Sequence, residues 1–235
     1  MMNRLAQIRA SEKAYHDHYY GHHHLFEEGS WLHKPALTVM ALQHRFIDRE
    51  PLRVLDLGCG VGRNSIPIAQ TFKNPRSEVV CVDLLASAIE KLQQNSRAFG
   101  VATLLRAYRT DIADFPIAPS SYDYIVAVSS LEHIASEQRL EEVLRRIKTG
   151  TKSAGAVCLI LNTDVEEIDT QTGRALTPMV EIRLSAERAC RLLKKIFTGW
   201  EEKTVAVKPL EFHILRHDKP VLMKTASLTF AAVKP

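Results

Sequence analysis

Short apolar runs alternate with longer amphipathic stretches along most of the chain. The short runs are continuously apolar, which is typical of parallel strands that are covered on both faces. The longer stretches carry apolar residues at helical spacing, as at Ala88, Ile89 and Leu92. The predicted strands are residues 53–57, 78–82, 104–108, 124–128 and 156–161, and the predicted helices are residues 63–72, 85–99, 137–147 and 186–197.

This alternation predicts an α/β fold with one doubly wound, Rossmann-like domain. Two further β stretches, residues 204–207 and 227–232, are expected to form an antiparallel edge hairpin, which completes a mostly parallel seven-stranded sheet. No repeat or linker marks a domain boundary. We therefore expect a domain over residues 51–235 and a helical lid of the same domain over residues 1–50.

Composition narrows the classes of protein. The four cysteines, Cys59, Cys81, Cys158 and Cys190, form no C-x-x-C pair, and no stretch resembles a membrane span or a secretion signal, so a cytoplasmic location is expected. The formal net charge is +4, without a run of Lys or Arg. The expected partner is therefore a small molecule rather than nucleic acid or a membrane, with the chain a monomer or homodimer.

Candidate chemistry begins at VLDLGCGVGRN, residues 54–64, where a strand, an acid and three glycines precede a helix. Gly58, Gly60 and Gly62 allow unusual backbone angles and close approach to a ligand. Asp56 is placed to order this loop and to meet a ligand ammonium. A dinucleotide site would have glycine at position 63, where this chain has arginine. The spacing suits the amino-acid end of S-adenosylmethionine, although a purely structural turn is the alternative.

Two more acids follow predicted strands at the same edge of the sheet. Asp83 ends the second strand, where an open α/β sheet places an acid for ribose hydroxyls, although it could instead cap the next helix. Asp111 and Ile112 follow the third strand and are placed for the adenine amino group and the adenine ring face. These positions extend the predicted site across neighbouring strands.

These elements, in this order, resemble motifs I, II and III of the class I S-adenosylmethionine-dependent methyltransferases over residues 52–161. VAVSSLEHI, residues 126–134, is similar to the family's segment after strand 4, which runs beneath the cofactor. The chain lacks the family's N/D-P-P-Y/F signature for methylating amide or exocyclic amino nitrogens and its Pro-Cys signature for cytosine C5. LDLGCGVGRNSIPIA, KIFTGWEEKTVAV and LTFAAVKP resemble the tellurite-resistance (TehB-like) branch. The resemblance implies a small acceptor, such as a metalloid oxyanion or thiol, and cofactor contacts from Cys59, Asn64, Leu84 and Ser129.

His133, just past the fourth strand, is the candidate general base, with simple packing over the cofactor as the alternative. The histidine-rich N-terminus is expected to close the chamber with Tyr19, Tyr20, Trp31 and His33. Its histidines do not have the spacing of a metal site, so no metal is expected. The donors expected for an anionic substrate are His213, Arg216 and His217, unless they lie in a solvated loop.

The sequence is also compatible with three other functions. A methyltransferase acting on RNA or protein would share the cofactor loop. An NAD-dependent oxidoreductase is disfavoured by Arg63, and a non-catalytic binding module is disfavoured by the intact set of glycines and acids.

Overall fold

The computed structural model describes residues 3–216 and 219–235. Among these residues a central sheet of eight strands has the order β3-β2-β1-β4-β5-β8-β7, and the short β6 pairs with β5 off this path. β1 through β5 pair in parallel, while β8 and β7 add antiparallel at one edge. The strands are β1 (Arg53–Leu57), β2 (Glu78–Asp83), β3 (Leu105–Arg109), β4 (Tyr122–Val128), β5 (Thr151–Asp169), β6 (Ala175–Leu176), β7 (Glu201–Arg216) and β8 (Lys219–Val233). The predicted doubly wound α/β fold with an antiparallel edge pair is confirmed.

Helices cover both faces of the sheet. Alternate residues of β1 enter different apolar layers, since Val54 packs with one cluster, and Leu55 and Leu57 with the other. Because both faces are covered, all of β4 is buried, which explains the continuous apolar run over its residues 124–128. The helices are α1 (Arg4–His22), α2 (Leu37–Gln43), α3 (Ser65–Gln70), α4 (Ala86–Ala98), α5 (Glu137–Gly150) and α6 (Ala186–Ile196).

The antiparallel edge is much longer than the sequence pattern predicts. β5 runs on to Asp169, past the expected end at position 161, and its pairing with β8 shifts register between Thr163 and Glu166. β7 and β8 pair along almost their whole length. These extensions rise beyond the parallel strands and form a wall next to their carboxyl ends, where the apolar pattern gives way to mixed residues.

α1 lies across the carboxyl edge of the sheet. Its N-terminus is capped by Asn3, whose side chain accepts a hydrogen bond from the Ala6 amide at 2.9 Å. The helix contacts α4 on one side and β7 on the other. Among the described residues, no helix combines the length and the apolar character needed to cross a membrane.

Candidate active site

A cavity of about 410 Å³ opens at the carboxyl ends of the parallel strands. This is where open α/β sheets bind ligands, and the volume lies within the range of small-molecule sites. Two groups of structural elements form the wall of this cavity. One part, the donor end, consists of the loops after β1, β2, β3 and β4. The other, the acceptor end, consists of α1, the extended β5, the segment 177–185 and the β7–β8 hairpin.

The glycine loop after β1 forms the floor of the donor end. Gly58 and Gly60 have φ values of +78° and +54°, which side-chain-bearing residues rarely adopt. A Cβ atom on Gly58 would lie 2.2 Å from the Cβ of Ser130, and one on Gly60 would lie 3.1 Å from the Tyr20 hydroxyl. Gly58, Cys59 and Gly60 all border the cavity, so the loop is shaped both by its own packing and by the open space above it.

Asp83 borders the cavity beside this loop. Its carboxylate accepts hydrogen bonds from the amides of Gly60 and Leu85, both at 2.9 Å. Leu85 is the N-cap residue of α4, so Asp83 orders the start of that helix and the glycine loop together. Burial raises the pKa of Asp83, against the effect of these hydrogen bonds. Asp83 therefore both stabilises the start of α4 and lines the cavity.

Asp56 lies behind the loop rather than in the cavity wall. It is 1% exposed, and its Oδ2 accepts a hydrogen bond from Ser65 Oγ at 2.5 Å, whereas Oδ1 has no protein partner. Burial raises its pKa to about 6. Gly62 also lies off the cavity, because its α-carbon packs against Leu92 and Ile66. Asp56 and Gly62, both predicted to bind the cofactor, therefore do not border the cavity themselves.

The loops after β2, β3 and β4 complete the donor end. Asp111 and Ile112 border the cavity, and Asp111 is already engaged, with Oδ1 accepting from the Ala113 amide and Oδ2 from Arg9 of α1 at 2.7 Å. Leu84, Asn64 and Ser129 also border it. All of these positions were predicted from the sequence, and the structure brings them to one cavity.

His133 stands at the acceptor end. Its Nδ1 lies 2.9 Å from Glu181 Oε2, and 34% of its side-chain surface is exposed. Burial alone would lower the pKa of His133, but the hydrogen bond with Glu181 and the charges of Glu12, Glu132 and Glu181 raise it to about 9. His133 is therefore an imidazolium at neutral pH in this structure, which disfavours the expected role as a general base.

Arg216 connects three elements at the acceptor end. Its Nε and Nη2 donate to Glu167 Oε1 of β5, and its Nη1 lies 2.8 Å from Glu12 Oε1 of α1. The Arg216 side chain is only 8% exposed. Because two carboxylates flank the guanidinium, Arg216 holds α1 against the wall rather than presenting a free cation to a substrate anion.

The other predicted substrate residues are dispersed. Trp31 borders the cavity, whereas Tyr19 lies behind it, with the two rings stacked at 5.0 Å. His33 does not border the cavity, and His213 is exposed because Phe212 and Ile214, its neighbours along the strand, point inward. His217 lies outside the described residues. His213 and His33 are therefore not brought to the site.

Sequence reasoning missed most of the polar wall. α1 contributes Arg9, Glu12, Tyr15 and His16 besides the predicted Tyr20, and Arg63 adds a guanidinium that donates to the Trp31 carbonyl and lies over the Trp31 ring. α1 has no apolar stripe, so its sequence does not reveal which face is inward. Glu132 was also missed, although it lies within the VAVSSLEHI segment. Among residues 3–216 and 219–235, no cluster of His, Cys, Asp or Glu is arranged to hold a metal ion.

Comparison with known proteins identifies the class. Residues 54–155 match the family described as "Methyltransferase domain". Over these residues the chain is similar to a methyltransferase domain, which bears out the resemblance to S-adenosylmethionine-dependent methyltransferases that the sequence shows.

Relatives with curated descriptions differ in what they act on. The chain is 32% identical over 111 residues to tRNA N(3)-cytidine methyltransferase METTL2 of Mus musculus, an alignment that covers 46% of this chain and 28% of that protein. It is 28% identical over 138 residues to carboxy-S-adenosyl-L-methionine synthase of Erwinia tasmaniensis, covering 59% of this chain and 54% of that protein. The chain therefore matches about half or less of these relatives' own length.

Solved structures share the fold. TehB from Haemophilus influenzae has a TM-score of 0.61 at 19% identity, over 83% of this chain and 62% of that chain. Magnesium protoporphyrin IX methyltransferase from Synechocystis PCC 6803, solved with bound S-adenosylmethionine, has a TM-score of 0.62 at 15% identity, over 100% of this chain and 99% of that chain.

Proposed function

We propose that this chain transfers a methyl group from S-adenosylmethionine to a small-molecule nucleophile inside the cavity under α1. The observation that carries this proposal is the division of one cavity into a donor end with the family's glycine loop and an acceptor end built from other elements. The sulfonium of the donor supplies an electrophilic methyl group when bound, and the protein's task is to align the nucleophile and exclude water.

The residues present fit the donor. Asp56 Oδ1 is buried without a protein partner, which suits a hydrogen bond from the donor's amino group, directly or through water. The buried guanidinium of Arg63 borders the same end and suits the donor's carboxylate. Asp83 is placed for ribose hydroxyls and Asp111 with Ile112 for the adenine, while Gly58 and Gly60 leave room for close approach.

The position of α1 over the cavity favours a small acceptor. Its residues Glu12, Tyr15 and His16 border the acceptor end, and Arg216 ties the helix to β5. We infer that residues 1–50 serve as a lid on the domain formed by residues 51–235, as expected from the sequence. Thiols and metalloid oxyanions, the acceptors implied by the TehB-like resemblance, belong in the first substrate panel.

A macromolecular acceptor is the second candidate, because several relatives are described as tRNA N(3)-cytidine methyltransferases. Those names do not support the expectation that nucleic acid is excluded. A tRNA arm is therefore part of the test. The free thiols of Cys59, Cys81, Cys158 and Cys190 suit a reducing compartment, and we propose a cytoplasmic location.

Two measurements test the proposal. Calorimetry with S-adenosylhomocysteine should show one site per chain, lost or much weakened in Asp83→Asn and retained in the surface control Asp48→Asn. Transfer of a labelled methyl group should then be followed to amines, phenols, thiols, tellurite and total tRNA. Absence of S-adenosylhomocysteine binding would contradict donor use, and labelling of tRNA alone would replace the small molecule with the macromolecular acceptor.

A further inference from the structure

One carboxylate oxygen in the cavity wall has no role in holding the protein together. Glu132 lies in the short helical turn after β4 and is 4% exposed. Its Oε1 accepts hydrogen bonds from the amide and the side chain of Asn162 at 3.1 and 2.8 Å. Its Oε2 is buried and has no hydrogen-bond partner, yet the residue borders the cavity. Buried polar atoms are rarely left in this state unless a ligand or water satisfies them.

Glu132 lies where the two ends of the cavity meet. Ser129 and Ser130, on the same turn, border the donor end beneath the glycine loop, and Ser130 Oγ donates to the carbonyl of Leu57. His133 and Asn162, on the other side, border the acceptor end. A group bonded to Glu132 Oε2 is therefore placed between the donor loop and the acceptor wall, as a methyl acceptor must be.

The charge of the acceptor end favours a basic nucleophile. Besides Glu132, the carboxylates of Glu12, Glu167 and Glu181 border it, against the cations Lys13, Arg216 and His133, and burial lowers the pKa of His16, also on this wall, below its ordinary value. Arg216 is engaged by Glu12 and Glu167, His133 by Glu181, and Lys13 by Asp17. No described cation faces Glu132 Oε2 within hydrogen-bond distance, so an anion there would meet an unpaired carboxylate.

Part of the acceptor wall is apolar. Phe212 and Ile214 of β7 and Met223 of β8 face the cavity, together with Met179 and Val180 of the segment 177–185. Such a surface suits the apolar body of a ligand. The pocket thus joins this apolar surface to Glu132 Oε2, a buried hydrogen-bond acceptor without a partner.

We propose that Glu132 is a catalytic residue whose Oε2 binds an amine acceptor with an apolar body and receives its proton. This inference rests on the proposed methyl-transfer function. The amine enters as an ammonium, and Oε2 accepts one of its protons, which leaves a neutral nitrogen with a free lone pair. That lone pair forms the new N–C bond while the C–S bond of the sulfonium breaks, and the sulfur keeps the electron pair of the broken bond. The products are a methylated ammonium, S-adenosylhomocysteine and protonated Glu132, which releases its proton to water before the next turnover.

The surroundings suit a proton acceptor at this position. Burial raises the pKa of Glu132, while the charge of His133 and the hydrogen bonds from Asn162 lower it, and the net shift is upward. A raised pKa makes the carboxylate a stronger base than an exposed glutamate. His133 is already protonated at neutral pH, so it holds Glu181 and leaves proton transfer to Glu132.

Binding to the protein loaded with S-adenosylhomocysteine tests the inference without turnover. The probes are 2-phenylethylamine and its anionic counterpart 3-phenylpropanoate. The wild type should bind the amine at least about tenfold more tightly, and Glu132→Gln should lose about tenfold in amine affinity, about 1.4 kcal/mol. Glu132→Gln retains an oxygen for Asn162, so the fold and S-adenosylhomocysteine affinity should be unchanged. The control Glu90→Gln, an exposed glutamate of α4, should behave as the wild type.

Equal or tighter binding of 3-phenylpropanoate, binding of neither probe, or unchanged amine affinity in Glu132→Gln would overturn the inference. Loss of S-adenosylhomocysteine binding in the wild type would instead count against the proposed function, so the two failures are distinguishable. A second readout is the pH profile of labelled-methyl transfer to the amine. In the wild type kcat should fall as pH drops through the raised pKa of Glu132. Glu132→Gln should have a much lower kcat, which should not show this fall at low pH.

Discussion

Arg9 of α1 and Asp111 after β3 form an ion pair of 2.7 Å across the mouth of the donor end. Arg9 is thus the point where the N-terminal helix meets the proposed adenine site. The side chains are 33% and 19% exposed, so the pair contributes about 1 kcal/mol or less to stability.

The first prediction concerns release of the cofactor product. Arg9→Ala should speed dissociation of S-adenosylhomocysteine by up to about fivefold, because about 1 kcal/mol of lid closure is lost. Stopped-flow measurement of release gives the rate. Arg145→Ala removes another exposed ion pair, on α5, and should leave the rate unchanged. Slower release in Arg9→Ala would show that the pair opposes binding instead.

Gly58→Ala should destabilise the chain and abolish cofactor binding. A Cβ there requires both a positive φ and displacement of Ser130, at a combined cost of about 3 kcal/mol or more. Gly29 is a matched control, since its φ is +82° and a Cβ would meet nothing within 4 Å. Gly29→Ala should therefore cost only about 1–2 kcal/mol. Equal losses in denaturant unfolding would mean that crowding at Ser130 contributes nothing.

Asp56 should make the cofactor-free protein less stable as pH rises. Burial raises its pKa from 3.8 to about 6, so the charged form is disfavoured in the folded state. This penalty is absent below about pH 4, grows up to about pH 6, and reaches roughly 3 kcal/mol. The unfolding free energy of Asp56→Asn relative to wild type should therefore rise between about pH 4 and pH 8. Asp48→Asn, at an exposed site, should show no such trend.

His133 should titrate far above an ordinary histidine. Its folded pKa of about 9 means that its contribution to stability is fully present below about pH 6.5 and is lost as pH rises through about 9. Imidazole NMR shifts measure this directly. Glu181→Gln removes the partner at Nδ1 and should bring the midpoint down towards or below the ordinary range, because burial then acts with less opposition. A midpoint near 6.5 in the wild type would restore His133 as a candidate base.

Arg216 should contribute more to the stability of the fold than to binding of an anionic substrate. Arg216→Met leaves Glu12 and Glu167 without their cation and should cost about 3–5 kcal/mol in chemical unfolding. Adding Glu167→Gln to that variant should recover part of the loss. If Arg216→Met instead unfolds normally and only weakens binding of anionic probes, the guanidinium serves the substrate.

The parallel core could be predicted because strands that are buried on both faces have continuously apolar sequences. β1 begins and ends where RVLDL does, and Gly58, Gly60, Asp83, Asp111 and Ile112 reach one cavity as expected. The extension of β5 was not predictable in this way, since Asn162, Asp164, Glu166 and Glu167 interrupt the apolar run while the strand continues through pairing with β8.

The acceptor end was harder to predict because its residues come from distant segments. His213 was expected in the site, but strand alternation turns it outward and places Phe212 and Ile214 inward. The charges of Glu12 and Glu132 both reach His133 only through the tertiary fold, and the polar sequence of α1 gives no sign of its buried face. The balance of charges around the acceptor end therefore depends on how the chain folds, and no short sequence motif reveals it.

The long hairpin of β7 and β8 has a consequence for how this protein can diversify. The donor end is drawn from the first four parallel strands, whereas the hairpin supplies Phe212, Ile214 and Met223 from the last quarter of the chain. Mutations in the hairpin can therefore reshape the space offered to an acceptor while the inherited donor loop stays untouched, so new acceptors can be explored in evolution without loss of the methyl source.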